Sequence, residues 1–276
     1  EFAGAALLGI APQYQKALVL HGDAGTGKST FLTILSALFE PMGTGAVASI
    51  EPQQFEDQNQ IGRLVGVRLN AVHEMGGRTV VEIDRLKQII DGTEMSINVK
   101  YQPVFDVRPQ AAHIFATNDL PQIPGAHPSV WDRFMVLSLD RRFRDSSDQV
   151  VGLGGEIVAQ EVPGVIAWAI RGANRLLKAG TYTKPASSQE ALEEWQRTAD
   201  SVGRFYMECC EPVEDFKDGT APQTVYNAYK GWAPKNGYVP VAGSTFGIRS
   251  KHQGFEDKKR QGLRKRMVRI LGPFRR

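Results

Sequence analysis

Over the first 145 residues, short apolar runs alternate with segments whose apolar residues recur at helical spacing. Lys16-Ala-Leu-Val-Leu20 reads as a buried strand. From Ser29 to Phe39, apolar residues at 31, 32, 34, 35, 38 and 39 mark a helix that Pro41 and Gly43 stop. Val67 to Val72 predicts a strand running on to Glu74, and Ile83 to Ile90 a helix closed by Gly92. Ser96 to Val107 alternates in part and contains Pro103, which predicts a hairpin. Ala111 to Ala116 and Phe134 to Leu139 complete the strands. Strands alternating with helices imply an α/β domain built on a parallel sheet.

The pattern changes after Arg144. Pro163 to Ala179 predicts a helix with Val165, Ile166, Trp168, Ala169 and Leu176 on its apolar side. Gly180 to Ser188 has linker composition, and Gln189 to Glu208 reads as one long helix. A small α/β segment with Tyr226, Tyr229, Trp232 and Phe246 follows, and the three aromatics at helical spacing are expected in a core. The expected division is a core over 1–145, a helical lid and linker helix over 146–208, and a basic domain over 209–276.

Composition narrows the class. The chain of 276 residues is 42% hydrophobic and 23% charged, as in ordinary globular proteins. It holds no apolar run of membrane-spanning length and no secretory leader pattern, and it does not start with Met, as expected of a piece of a longer polypeptide. Its two cysteines, Cys209 and Cys210, are adjacent, which excludes a disulfide framework and the usual zinc spacings. A cytoplasmic setting is expected. The net charge of +3 hides an asymmetry: residues 247–276 carry eleven Lys/Arg against two Asp/Glu, so the remainder is net acidic. A basic end on an acidic body points to a polyanion such as DNA.

Gly22-Asp-Ala-Gly-Thr-Gly-Lys-Ser29 matches G-x-x-x-x-G-K-[ST] and falls between a predicted strand and a predicted helix. Such a loop turns backbone N–H groups and the positive helix end toward phosphate. Gly22, Asp23, Ala24, Gly25, Thr26, Gly27, Lys28, Ser29 and Thr30 are therefore the expected ATP-binding residues. Lys28 is expected on the β and γ phosphates and Ser29 on Mg²⁺. Glu74, at a strand end, is the expected base or polariser for water, with Glu82 and Asp84 as a rival acidic pair and Asp84 read as a helix start. His73-Glu74 resembles a zinc-protease opening, but Gly77 occupies the place of the second His.

The series continues with Leu86-Lys-Gln-Ile-Ile-Asp-Gly92, Ala116-Thr-Asn-Asp-Leu-Pro121, Trp131-Asp-Arg133 and Glu161-Val-Pro-Gly-Val-Ile-Ala-Trp168. It resembles the superfamily 3 helicases, the C-terminal helicase part of phage and plasmid primase-helicases, over roughly residues 7 to 270. The resemblance implies an AAA+-type P-loop ATPase with a helical lid and a small C-terminal winged-helix domain. It implies a ring, usually a hexamer, moving 3′ to 5′ on single-stranded or forked DNA, with a primase or polymerase domain ahead of residue 1. It implies that Asn118 is the sensor of the γ phosphate and that Arg133 serves the neighbouring subunit's site, with Arg141 and Arg142 as competitors. It also implies that a hairpin Lys, here Lys100 beside Tyr101, grips DNA, while Lys87 stays structural or on the nucleotide side. One departure stands out: His73 precedes Glu74 where many such strands end in two acidic residues, so Mg²⁺ is expected mainly on Ser29, phosphates and water.

The basic end (Arg249, Lys251, Lys258, Lys259, Arg260, Arg264, Lys265, Arg266 and Arg269) is expected on DNA phosphates, with Lys258, Lys259, Arg260 and Arg264 foremost. Two other functions fit the loop: an ATP-switched DNA-binding or initiator module that does not unwind processively, and a small-molecule kinase. The helical and basic C-terminal parts and the lack of a visible acceptor site argue against the kinase.

Overall fold

The computed structural model describes residues 1–76, 83–101, 103–121, 123, 128–252 and 254–271. It separates into two compact units, Glu1–Glu194 and Trp195–Arg276.

The first unit is built on a sheet of five parallel strands in the order β2-β3-β6-β1-β7. These are β1 (Ala17–His21), β2 (Val47–Ala48), β3 (Leu69–Val72), β6 (Ala112–Thr117) and β7 (Phe134–Ser138). A separate antiparallel pair, β4 (Met95–Ile97) and β5 (Phe105–Val107), makes the expected hairpin, with Met95 opposite Val107 and Ile97 opposite Phe105. Every residue of β3 and β6 is buried, as in a sheet covered on both faces. The helices are α1 (Phe2–Leu8), α2 (Lys28–Ala37), α3 (Gln58–Gly62), α4 (Ile83–Ile90), α5 (Pro128–Trp131), α6 (Leu153–Gln160) and α7 (Val162–Ala179).

Helix α7 buries Ala169, Gly172, Ala173 and Leu176, a stripe at helical spacing, against α1. The approach is close: a Cβ on Gly4 would lie 2.3 Å from the Ala169 carbonyl oxygen. Trp168, expected on the apolar side, is 47% exposed, because the neighbouring position Ala169 carries the contact. Asn70 and His113 form a buried polar pair. Asn70 bonds both backbone groups of Ile50, and its Nδ2 lies 3.2 Å from Nδ1 of His113, which stacks on Phe115. Burial pushes His113 down to about 4.

Helix α8 (Ala186–Ala199) leads from the first unit into the second. The single long helix expected over 189–208 is broken at Asp200. That residue leaves the helical region and its carboxylate accepts the Val202 N–H at 3.2 Å, starting α9 (Ser201–Cys209). β8 (Cys210–Pro212), α10 (Pro222–Trp232), α11 (Gly243–His252), β9 (Asp257–Arg260), β10 (Leu263–Arg266) and β11 (Val268–Ile270) complete the second unit. β9 pairs with β10 and β11 with β8, both antiparallel. Gln261 and Gly262 join β9 to β10 with φ of 47° and 81°, the left-handed pair a two-residue hairpin turn requires.

The core of this unit is aromatic. Phe205 meets Tyr206, Tyr229 and Trp232 edge-on with ring centroids 5.6 Å apart, and Phe246 is buried beside them. Tyr229, Trp232 and Phe246 thus sit in the core, and Tyr226 packs against it partly buried. Burial pushes the Cys209 and Cys210 thiols up to about 12.

Candidate nucleotide site

Strand β1 ends at His21, and the chain turns at once into the glycine loop. The turn is fixed on both sides: the Gly22 N–H donates to the Thr117 carbonyl at 3.3 Å, and the Leu139 N–H donates to the His21 carbonyl at 2.8 Å. A Cβ on Gly22 would stand 2.4 Å from the Leu139 carbonyl oxygen. Gly25 has φ of 88°, and a Cβ there would meet Cβ of Arg144 at 2.5 Å, so this position admits only glycine. Gly27, with φ of 97°, caps α2. Thr26 is buried and its hydroxyl donates to the Asp23 carbonyl at 2.9 Å, bracing the loop from within.

Lys28 is 8% exposed and donates to the loop's own carbonyls, Gly22 and Asp23, the latter at 2.8 Å. Burial lowers its pKa, while the Asp23 and Glu74 carboxylates pull it back up. Arriving phosphate oxygens would exchange these carbonyls for stronger charged partners.

The loop opens onto a cavity of about 720 Å³. Ala24, Gly25, Gly27, Lys28, Ser29 and Thr30 line it, as do Glu74 and Asn118, so segments expected from sequence converge there. Gly22, Asp23 and Thr26, also expected there, are not among the residues that line it. Glu74 lies two residues beyond β3 rather than at its end, because the strand stops at Val72 while Met75 still donates to the Ala116 carbonyl at 2.8 Å.

The far wall was not anticipated. Phe143, Arg144, Asp148, Gln149 and Val150 line the cavity, with Leu153 and Ile157 from α6 and Phe31 and Ile34 from α2. Two backbone bonds hold this wall on the loop: the Phe143 and Arg144 N–H groups both donate to the Gly25 carbonyl, at 2.9 and 3.3 Å. The one signal in the sequence is the apolar pair Leu153 and Ile157, four residues apart.

Arg133 is remote from this cavity in its own chain. Its carbonyl accepts the Ala17 N–H at 2.7 Å at the entrance of β1, whereas the glycine loop leaves the other end of that strand. The separation along the strand is roughly 13 Å. The Arg133 side chain bonds Asp91 twice and the Ser129 carbonyl once. That bonding to Asp91 holds its pKa above the usual arginine value. Arg141 pairs with Asp148 and Arg142 with Asp145, both on the surface. Asp84 sits in the first turn of α4 with Lys87 paired to it at 3.4 Å, and its rival partner Glu82 lies outside the described residues.

Lys100 and Tyr101 occupy the loop of the β4–β5 hairpin. Both are exposed, Tyr101 fully, and Tyr101 has φ of 66°. Helix α3 holds the backbone there: Gln58 accepts the Asn98 N–H at 2.7 Å and Asn59 accepts the Lys100 N–H at 3.1 Å.

The basic end divides into free and committed residues. Arg266, expected on DNA, is 3% exposed and bonds Asp257, Tyr206 and Ser250, so it belongs to the core. Arg249 is likewise withdrawn into a pair with Asp200 at 3.0 Å. Arg264 pairs with Asp257 at 2.7 Å and Arg269 with Glu211 and Asp218, all with exposed guanidinium groups. Lys258, Lys259 and Arg260 are exposed on β9, and Arg260 and Lys265 both stand over the Phe216 ring.

Residues 20–133 match a family of unknown function, DUF5906. No curated protein matches the chain. Among solved structures, the A-form apo structure of the NrS-1 C-terminal region superposes with a TM-score of 0.50 at 13% identity, covering 97% of this chain and 71% of that one. A second alignment to that region, with a TM-score of 0.41 at 18% identity, takes in 58% of this chain and 38% of the NrS-1 chain, well under half its length. A JCV helicase bound to a small molecule gives a TM-score of 0.37 at 14% identity, over 71% of this chain and 59% of that one. Among the described residues no helix is long and apolar enough to cross a membrane. At these identities the likeness concerns architecture alone: the chain has an α/β fold on a five-stranded parallel sheet, shared with the NrS-1 C-terminal region.

Proposed function

We propose that this chain is the ATP-driven motor of a DNA helicase, an AAA+-type P-loop ATPase of superfamily 3 working in phage or plasmid replication. The observation that carries the reading is the convergence of Lys28, Ser29, Glu74 and Asn118 on one cavity at the C-terminal edge of a parallel sheet, where such sheets bind ligands.

In this reading the loop amides from Gly25 to Ser29 and Lys28 take the β and γ phosphates. The apolar end, Phe31, Ile34, Val150, Leu153 and Ile157, takes the base. Among the described residues no cluster of three His, Cys, Asp or Glu side chains stands ready to hold a metal. Mg²⁺ would be carried in on the nucleotide, with Ser29 as its protein ligand and charge neutralisation on the phosphates as its contribution. Glu74 polarises the attacking water, and Asn118 orients it against the γ phosphate. In a ring, taken as a hexamer, Arg133 would leave its Asp91 pair to act on a neighbour's site.

Lys100 and Tyr101 supply a sequence-independent hold on single-stranded or forked DNA. The second unit runs helix, strand, helix, helix and basic two-stranded ribbon, the order of a winged-helix domain, with Lys258, Lys259, Arg260 and Arg264 on DNA phosphates. The 3′ to 5′ direction, a primase or polymerase domain in the full protein and work in the host cytoplasm follow from the family resemblance alone.

The test is strand displacement on a tailed duplex with ATP and Mg²⁺. The wild type separates the strands and Lys28→Ala does not. Nucleotide-dependent DNA binding without displacement would instead favour an ATP-switched initiator.

A further inference from the structure

Thr117 is buried at the end of β6 and touches three segments that the proposed ATPase site uses. Its carbonyl accepts the Gly22 N–H at the start of the glycine loop at 3.3 Å. Its hydroxyl oxygen lies 2.8 Å from the Met75 carbonyl, next to Glu74. The same oxygen lies 2.5 Å from the Asp119 carbonyl and accepts the Asp119 N–H at 3.2 Å, just past Asn118.

A threonine hydroxyl carries one proton, and here two carbonyls stand within its reach. With the proton on Asp119, the turn holding Asn118 closes on itself. With the proton on Met75, that turn is tied to the segment holding Glu74. Neither Glu74 nor Asn118 sits inside a strand, so strand pairing does not set their spacing. Among the described residues, the Met75 N–H bond to Ala116 and the Thr117 side chain bridge the two segments.

We propose that Thr117 is a positioning residue. Its hydroxyl sets the separation of the Glu74 carboxylate and the Asn118 amide, and so the place of the water between them. The proposal rests on the ATPase reading of this cavity. It predicts a loss in the chemical step with nucleotide binding spared, because Thr117 lines the cavity but its hydroxyl is taken up by the Met75 and Asp119 carbonyls.

The test compares Thr117→Val, which keeps the shape and removes the hydroxyl, with Thr117→Ser, which keeps the hydroxyl. Two readouts are taken on the full chain. The first is hydrogen exchange of the Met75 amide without nucleotide, chosen because its own acceptor, the Ala116 carbonyl, is untouched by either change. Valine should speed that exchange roughly five-fold, the effect of losing one hydrogen bond, and serine should restore it. The second is steady-state ATP hydrolysis, where valine should lower kcat roughly 10- to 100-fold with KM for ATP within about two-fold, and serine should recover most of the rate. Unchanged Met75 exchange, equal losses with serine and valine, or a rise in KM with kcat intact would each overturn the proposal. If valine lowers the melting temperature into the assay range, Thr117→Ala takes its place in both readouts. A wild type that turns over no ATP would sink the ATPase reading, and the exchange comparison would still decide whether the hydroxyl ties the two segments.

Discussion

Arg133 grips Asp91 through two hydrogen bonds, Nε to Oδ1 at 3.1 Å and an Nη to Oδ2 at 2.8 Å. The partners lie 42 residues apart in sequence and are both mostly buried, with side chains 19% and 16% exposed. The pair joins the end of α4 to the entrance of β7 and fixes the guanidinium far from the cavity beside the glycine loop. It is therefore either a brace for the fold or a resting place from which Arg133 is released toward a neighbouring subunit, and the two roles separate experimentally.

Removing either partner strands the other's charge, so Asp91→Ala and Arg133→Ala should each cost about 2 kcal/mol of stability in urea unfolding. The double variant should cost far less than their sum. Well below the melting temperature, Asp91→Ala should keep most of its ATP turnover. Arg133→Ala should lose about 10³-fold if it serves the neighbouring site. Equal losses in the two variants would make Arg133 a structural residue only.

The hairpin gives a second separation of roles. Lys100→Ala should leave DNA-free ATP hydrolysis unchanged and abolish strand displacement. Asn59→Ala, which removes the acceptor of the Lys100 N–H, should weaken displacement without changing any group that meets DNA. Displacement at wild-type rates by Lys100→Ala would remove the hairpin from the DNA path.

His113 predicts a pH dependence of stability. Its Nδ1 accepts from Asn70, so protonation there would set a donor against a donor. The folded value of about 4 lies below the ordinary 6.5, so the unfolded chain binds the proton first. The stability this residue contributes is complete above pH 6.5 and falls as pH drops from 6.5 toward 4, by about 3 kcal/mol in total. Urea unfolding of the wild type and His113→Asn at about pH 7, 5.5 and 4 reads the difference. Parallel pH profiles for the two proteins would contradict it.

In the basic end, position in the run does not indicate role. Arg266→Ala should destabilise the second unit by about 3 kcal/mol, since it leaves Asp257 buried with less compensation. Changing Lys258, Lys259 and Arg260 together should leave the melting temperature nearly fixed and weaken DNA binding. The slope of log affinity against log salt should then flatten by about 0.7 to 0.9 for each phosphate no longer neutralised. A salt slope unchanged in the triple variant would remove the ribbon from the DNA interface.

Local pattern made much of the first unit legible. The helix expected over 83–90 ends at Ile90 as predicted, and β1, β6, β7 and the hairpin lie within a residue or two of expectation. The glycine loop was readable because its pattern has fixed residue types at fixed spacing. What escaped depends on contacts between distant segments. The 143–157 wall reaches the cavity through two N–H bonds to the Gly25 carbonyl, which leave no trace in side-chain type. Arg266 stands in a run of cations that composition reads as solvated, yet Tyr206, Ser250 and Asp257 enclose it. Asp200 breaks a helical period that continues on both sides, because one carboxylate caps the second helix.

The cavity beside Lys28 and Glu74 is proposed to bind and cleave ATP, and phosphate release measured with and without single-stranded DNA is the decisive assay. Turnover that requires Mg²⁺, rises with DNA, and disappears in both Lys28→Ala and Glu74→Gln while Glu74→Gln still binds nucleotide is the predicted result. No turnover by the wild type under any of these conditions, or turnover that survives Lys28→Ala, would contradict it.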